Sequence, residues 1–294
     1  MLRRITLGIA LISILFTHAY GNCGKSGEVV EQMEKGTIDW SKGLLQAKGT
    51  GSPAGKNSGK GSTSPIEAAM QDAMRNLLRI VKHVRIDSQK TVGEISSGSN
   101  AVETEILNLV RTARLIEPVK YLSDRSVEVT TEMSLYGGLA QLILPPEIKH
   151  VESIKPVKLK KQPVKVESDK ISGDGSLTKN PKTYTGLIVD ARGLSIKPAM
   201  APRILDENNR EVYGPAFVSR EFVVQQGMGG YTKDIRSAQN CKRVMDHPLI
   251  VKGLRAIGPA YSDIVICDAD ASKIRSASEH LLFMKRCRVV IVVD

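Results

Sequence analysis

Between residues 151 and 182 the apolar periodicity breaks down into a lysine-heavy stretch punctuated by Pro156, Pro163 and Pro181. A segment of this composition has too little apolar surface to join a core, so it reads as a linker. It divides the chain into two separately sheeted units. The expected organisation is a leader over residues 1–21, an α+β unit over 22–150, the linker over 151–182 and a second unit of mixed α and β elements over 183–294. The fold class is therefore α+β, with two sheet domains joined by a Lys/Pro-rich linker.

The leader is read from residues 5–16, an apolar run that follows Arg3 and Arg4 and leads to Ala19-Tyr20-Gly21. A charged start, an apolar stretch too short to span a bilayer comfortably and a small-residue exit describe a secretory signal peptide. The chain is expected to be exported, which sets aside nucleotide and nucleic-acid partners. The formal charge is +11, or +9 once Arg3 and Arg4 leave with the leader. In an exported chain that excess suits an anionic membrane or cell-wall surface, and equally a solvated lysine-rich exterior. Aromatic residues make up 4% of the chain, which argues against an aromatic-lined groove for sugars or bases.

The four cysteines, Cys23, Cys241, Cys267 and Cys287, show no C-x-x-C and no histidine at zinc-ligand spacing. Export permits disulfides, though spacing does not assign the pairs. Cys267 and Cys287 are expected to flank a helix at opposite ends of neighbouring strands. Cys23 stands where a lipoprotein would carry its lipid, but Tyr20-Gly21-Asn22 departs from a Leu-Ala-Gly-Cys lipobox. Cleavage near Gly21 is the expectation, with lipidation of Cys23 as the alternative.

In the first unit, residues 37–48 read as one strand whose phase shifts at Gly43, as at a bulge. After a loop over residues 49–62, Ser64-Pro65-Ile66-Glu67 carries a capping box and an N1 proline, and apolar residues from Ile66 to Val84 recur at helical spacing. A second helix is predicted over 101–113, then strands over 115–122 and 127–135 with a turn at Ser123-Asp124-Arg125-Ser126. In the second unit the expectations are a strand over 184–190, a hairpin around Asn208-Asn209, helices over 232–245 and 271–285, and strands over 249–257, 263–267 and 288–293.

Candidate chemistry is sparse. Gly55-Lys56-Asn57-Ser58-Gly59-Lys60-Gly61-Ser62 lies where a phosphate-binding loop belongs, but three residues separate the glycines and Gly61 follows Lys60, so magnesium would lack its hydroxyl ligand. Asp190 and Asp268 end apolar strands, the position of many α/β sites. For Asp268 and Asp270 helix capping is the simpler role, and Asp206 to Glu211 reads as a turn without calcium-loop spacing. His83, His150, His247 and His280 are isolated. No catalytic, cofactor-binding or metal-binding residue is assigned, and no cofactor is expected.

Two segments, Ile38-Asp39-Trp40-Ser41-Lys42-Gly43-Leu44-Leu45-Gln46-Ala47-Lys48-Gly49-Thr50-Gly51 and residues 68–92, resemble the LPP-twenty lipoprotein family of FlgP-like bacterial envelope proteins. The resemblance covers residues 37–144. It implies a strand ending in Gly-x-Gly, an alanine-rich helix and a later Val-Glu-Val strand, here Val127-Glu128-Val129, and it implies an envelope or appendage-associated scaffold. The expected function is that of an exported, non-enzymatic component of the periplasm or outer membrane, with envelope proteins or further copies of itself as partners, and the first unit is expected to fold and self-associate alone. The rival readings are an enzyme acting on an envelope polymer through Asp190 and Asp268, and a module that binds anionic lipid or polysaccharide.

Overall fold

The computed structural model describes residues 27–53, 64–148, 184–276 and 280–294. The leader, Cys23, most of the glycine-rich loop and the linker lie outside the described residues.

The first unit begins with β1 (Val30–Met33), β2 (Gly36–Asp39) and β3 (Leu44–Gly51). The single bulged strand expected over 37–48 is a hairpin. Ile38 pairs directly with Leu45, so the phase shift at Gly43 marks a chain reversal. Gly43 has a φ of +67°, and a Cβ there would come within 2.2 Å of the Tyr136 ring.

Helix α1 (Pro65–His83) starts as predicted, with the Ser64 hydroxyl accepting from the Glu67 N–H and the Glu67 carboxylate accepting from the Ser64 N–H. Its alanine face lies on β3. At Gly49 a Cβ would sit 2.1 Å from the Ala73 nitrogen, and at Gly51 2.0 Å from the Pro65 carbonyl oxygen. The Gly-x-Gly of the sequence resemblance thus lets helix backbone approach sheet backbone, with Ala69 and Ala73 fully buried between them.

Helices α2 (Val92–Ser97) and α3 (Asn100–Arg111), strands β4 (Arg114–Tyr121) and β5 (Val127–Ser134), and α4 (Gly138–Ile143) follow. The short α2 and α4 carry too little periodicity to show in sequence. The strands form one antiparallel sheet in the order β1-β2-β3-β5-β4. One face, with Leu45, Ala47, Val127 and Val129, is buried. On the other, Glu132 pairs with Gln46 and Arg114, and Glu128 with Lys120. This is the apolar-in, polar-out alternation of an antiparallel sheet with one wet face.

The second unit comprises β6 (Gly186–Asp190), β7 (Ile204–Leu205), β8 (Glu211–Tyr213), a 3-10 turn (Pro215–Phe217), α5 (Arg220–Gln226), β9 (Gly230–Thr232), α6 (Ile235–Gln239), β10 (Pro248–Ile257), β11 (Asp263–Ile266), α7 (Asp268–Arg275), α8 (His280–Lys285) and β12 (Val289–Val292). The order is β8-β7-β11-β10-β6-β12-β9. Strands β9, β12, β6 and β10 run parallel, and β11 turns back against β10. Strand β12, between β6 and the outer β9, is buried along its whole length, as expected of a strand covered on both faces.

Three expectations are corrected here. The helix over 232–245 is a strand end followed by the short α6, because Tyr231 and Thr232 join the sheet and Asp234 caps a new helix through the Ser237 N–H. The helix over 271–285 divides into α7 and α8. Cys267 and Cys287 do flank these helices, but β11 and β12 are not neighbours, since β10 and β6 lie between them.

The two sheets share one continuous apolar core that includes Ile38, Trp40 and Leu77 of the first unit and Val189, Tyr231 and Ile291 of the second. Trp40 meets Tyr231 edge-on at 6.1 Å between ring centroids. Among the described residues no helix is long and apolar enough to cross a membrane.

Candidate functional site

Each acid singled out in the sequence is held by local structure. Asp190, at the end of β6, accepts from Arg192 Nε at 2.8 Å and Nη2 at 2.7 Å. These bonds, opposed by partial burial, hold its carboxyl below the usual range. The same turn is closed by Asp294, whose carboxylate accepts from the Gly193 N–H at 2.7 Å and the Ser195 N–H at 3.2 Å. Asp268 faces another loop. Its carboxylate accepts from the Glu207 N–H and the Asn208 amide, while its own N–H donates to the Glu207 carboxylate. Among the described residues Asp190 and Asp268 share no bonded partner.

The cap of α7 is Cys267, whose Sγ accepts from the Asp270 N–H at 3.4 Å, in place of the expected aspartate. A strand-end cysteine directly before the helix occupies the cap position, so Asp268 falls inside the first turn. Asp270 instead pairs with Lys273 at 2.8 Å.

Asp206 is a buried organiser of the Asn208-Asn209 turn. Burial opposes its ionisation, but bonds from the Arg210 N–H, Arg275 and the Arg210 side chain prevail and bring its carboxyl down to about 2. Glu211 has the opposite environment: burial raises its carboxyl, and among the described residues Oε1 finds no hydrogen-bond partner. His83 places Nδ1 2.8 Å from the Arg79 carbonyl oxygen, and the His247 N–H donates to Thr185. His150 lies outside the described residues. Among the described residues no cluster of histidine, cysteine and acidic side chains could hold a metal ion.

A second polar constellation lies between the units and was not legible in the sequence. Ser88 donates to Asp263 at 2.6 Å, and Arg203 reaches the same carboxylate at 2.8 Å and Ser88 at 3.3 Å. The first pair is separated by 175 positions. Nearby, Arg85 bridges Glu31 and the Pro198 carbonyl while its guanidinium lies 5.5 Å from the Trp40 ring centroid. Burial of Glu31 is outweighed by Arg85 and Trp40, so its carboxyl is lowered. Backbone bonds extend the seam: the Met200 N–H donates to Arg85, the Ala201 N–H to Ile86 and the Gly137 N–H to Val224.

Between the units lies a cleft with about 310 Å³ of space, much of it open to solvent, lined by Trp40, Leu135, Tyr136, Leu144, Met200 and Tyr231. Its enclosed part has room for about one water. Tyr231 is fixed there, donating to the Ala199 carbonyl at 2.8 Å and accepting from the Ala199 N–H at 3.1 Å. The geometry is that of a packed seam.

Comparison with known families places a match on the second unit. Residues 186–294 match the family described as Treponema pallidum Tp0624, second domain. This chain is similar to that domain over β6 to the terminus; the first unit, where the LPP-twenty resemblance was drawn, lies outside the match. No curated protein matches the chain.

Proposed function

We propose that this chain is an exported, non-enzymatic cell-envelope protein that acts as a scaffold or assembly component. The observation that carries this reading is how its strand-end and buried acids are used: Asp190, Asp206, Asp263 and Asp268 are each tied to a turn, an arginine or the seam. A catalytic carboxylate needs a side open to substrate. Export is supported by the leader-like start and by Cys241, which is disulfide-bonded as befits an oxidising compartment. The likeness of residues 186–294 to a Treponema pallidum domain supports a bacterial setting.

Assembly through the first unit has specific edges to use. Strand β4 is an unpromising one, since Pro118 lacks an N–H and the register with β5 shifts between Ile116 and Lys120. Strand β1, with four residues, is the more regular outer edge. The test is chemical crosslinking in intact cells followed by fractionation, with light scattering on the purified full chain. The expected result is an envelope-fraction complex larger than the monomer. A chain that is monomeric over a wide concentration range, with no crosslinked partner, would overturn the scaffold reading.

A further inference from the structure

Strand β10 stands in the middle of the second sheet, between β11 and β6, yet its outward side chains meet solvent. Ile250 and Leu254 are 43% and 45% exposed, with Lys252 exposed between them and Arg255 beside them. A central strand in such a sheet is ordinarily covered on both faces, so bare aliphatic side chains there mark a contact surface. We propose that this face of β10 is a docking groove for an amphipathic helix with an apolar stripe and acidic flanks, carried by a partner protein of the envelope.

The groove is defined by its neighbours. Ile250 pairs in register with Ile188, so the two side chains share one face of the sheet. Ile188 is buried there with Val290, Val292, Ala238, Cys241 and Val244, beneath α6 and the turn that follows it. Helix α6 packs on β6, β9 and β12, α7 on β8 and α8 on β6. One strand beyond Ile188, about 4.8 Å away, the cover given by α6 ends and β10 lies open. A helix with its side chains is about 10–12 Å across, so α6 forms a wall of that height along one side of the strip. Ile250 and Leu254 lie about 13 Å apart along the strand, close to the rise of eight helical residues. A helix laid along β10 can therefore cover both with anchors at i, i+4 and i+8.

Charge selects the occupant. Across the strand pair from Lys252 lies Asp190, whose carboxylate is held by two bonds from Arg192, and across from Arg255 lies the apolar Val265. Acidic residues on an incoming helix would complement both cations. A second copy of this chain would instead set Lys252 and Arg255 against like charges. A flat anionic bilayer would rest on α6 before it reached the floor of the strip. An added strand has no edge to join, because β10 is already bonded to β6 on one side and β11 on the other.

This inference rests on the scaffold reading for the partner's place in the envelope, and two measurements keep them distinguishable. In the first, the purified full chain is titrated with a stapled amphipathic helix of about 16 residues carrying leucine at i, i+4 and i+8 and glutamate on both flanks, followed by fluorescence anisotropy; its length of about 24 Å exceeds the strip. Saturable binding is expected, weakened about tenfold or more by Ile250→Ser or Leu254→Ser. Lys252→Glu combined with Arg255→Glu should transfer the preference to the same peptide with lysine flanks, and Arg255→Glu alone supplies the reading if the double variant fails to fold. Failure to bind the acidic peptide, or equal binding by these variants, would overturn the proposal. So would phosphatidylglycerol vesicle binding or dimer formation that these substitutions abolish, since the face would then belong to lipid or to a second copy. In the second measurement a photoreactive side chain at position 250 is activated in intact cells, and the crosslinked peptide is identified by mass; an acidic amphipathic helix of an envelope protein is expected. A complex captured elsewhere on the chain with position 250 silent, or a crosslink from 250 to residues 149–183 of the same chain, would overturn the groove and leave the scaffold reading standing. Peptide binding at β10 in a chain that forms no complex in cells would overturn the scaffold reading and support the chemistry of the groove.

Discussion

The two sheets bury their residues in different ways. The first has one dry face under α1 and a wet face of paired charges, whereas in the second β6, β11 and β12 are buried along nearly their whole length and only β10 alternates buried with exposed residues. A one-sided sheet gains less from burial per strand, and the first unit compensates in two ways: Gly49 and Gly51 admit α1 to near contact, and Trp40 reaches into the neighbouring core. The contrast shows that the two units are not independent bodies. The first unit completes its core on the second.

That comparison is most exposed to Trp40→Ala. The indole is 3% exposed, contacts Tyr231 and supports Arg85, and its removal should cost about 3–5 kcal/mol. Because the chain has one tryptophan, unfolding in urea should be followed by circular dichroism, and both units are expected to lose stability in one transition. Two transitions, with the second unit unmoved, would break the argument for a shared core.

A smaller effect, confined to the first unit, is expected from Gly49→Val. The added carbons meet the Ala73 backbone and must lift α1 from β3, a strain of about 1–3 kcal/mol. Hydrogen exchange should rise in α1 and β3 while β6 and β12 keep their protection. Equal loosening of the second sheet would show tighter coupling than the seam explains.

The second unit offers a pH test. Asp206 has a folded-state value lowered to about 2 against about 3.9 in an unfolded chain. Its contribution is thus present above pH ~4 and is lost as pH falls toward 2. Asp206→Asn should flatten the dependence of stability on pH across that window, measured by thermal unfolding at fixed ionic strength. An unchanged slope would mean that the two arginines do not hold the carboxylate in solution.

The smallest expected effect is at Asp190→Asn. Its pair with the exposed Arg192 is screened by solvent, so stability should change little, and envelope assembly should be retained. Complete loss of function in a stably folded variant, read by complementation in cells, would favour the enzyme reading in which Asp190 acts on a polymer.

Much of this architecture was written locally. The capping box at Ser64 and Glu67, the apolar stripe of α1, the β4–β5 turn and the Asn208-Asn209 hairpin depend on neighbours within a few positions, so periodicity and turn chemistry located them. Where two local patterns compete, as at Gly43, a phase shift reads as a bulge or as a reversal, and only the pairing of Ile38 with Leu45 selects the hairpin. At residues 232–245 the tertiary partner again prevailed, because β12 recruits Tyr231 and Thr232 into the sheet. The candidate site follows the same division. The acids were visible as residues, but their roles were not, since Asp268 meets Glu207 and Arg275 meets Asp206 only when the loop and helix are brought together. What the sequence alone determined is the repertoire of strands, helices and turns, because hydrophobic period and capping act over a few residues. The strand order of the second sheet, the seam of Ser88, Asp263 and Arg203, and the shared core were decided by the tertiary structure, because their contacts join residues whose separation along the chain leaves no local mark.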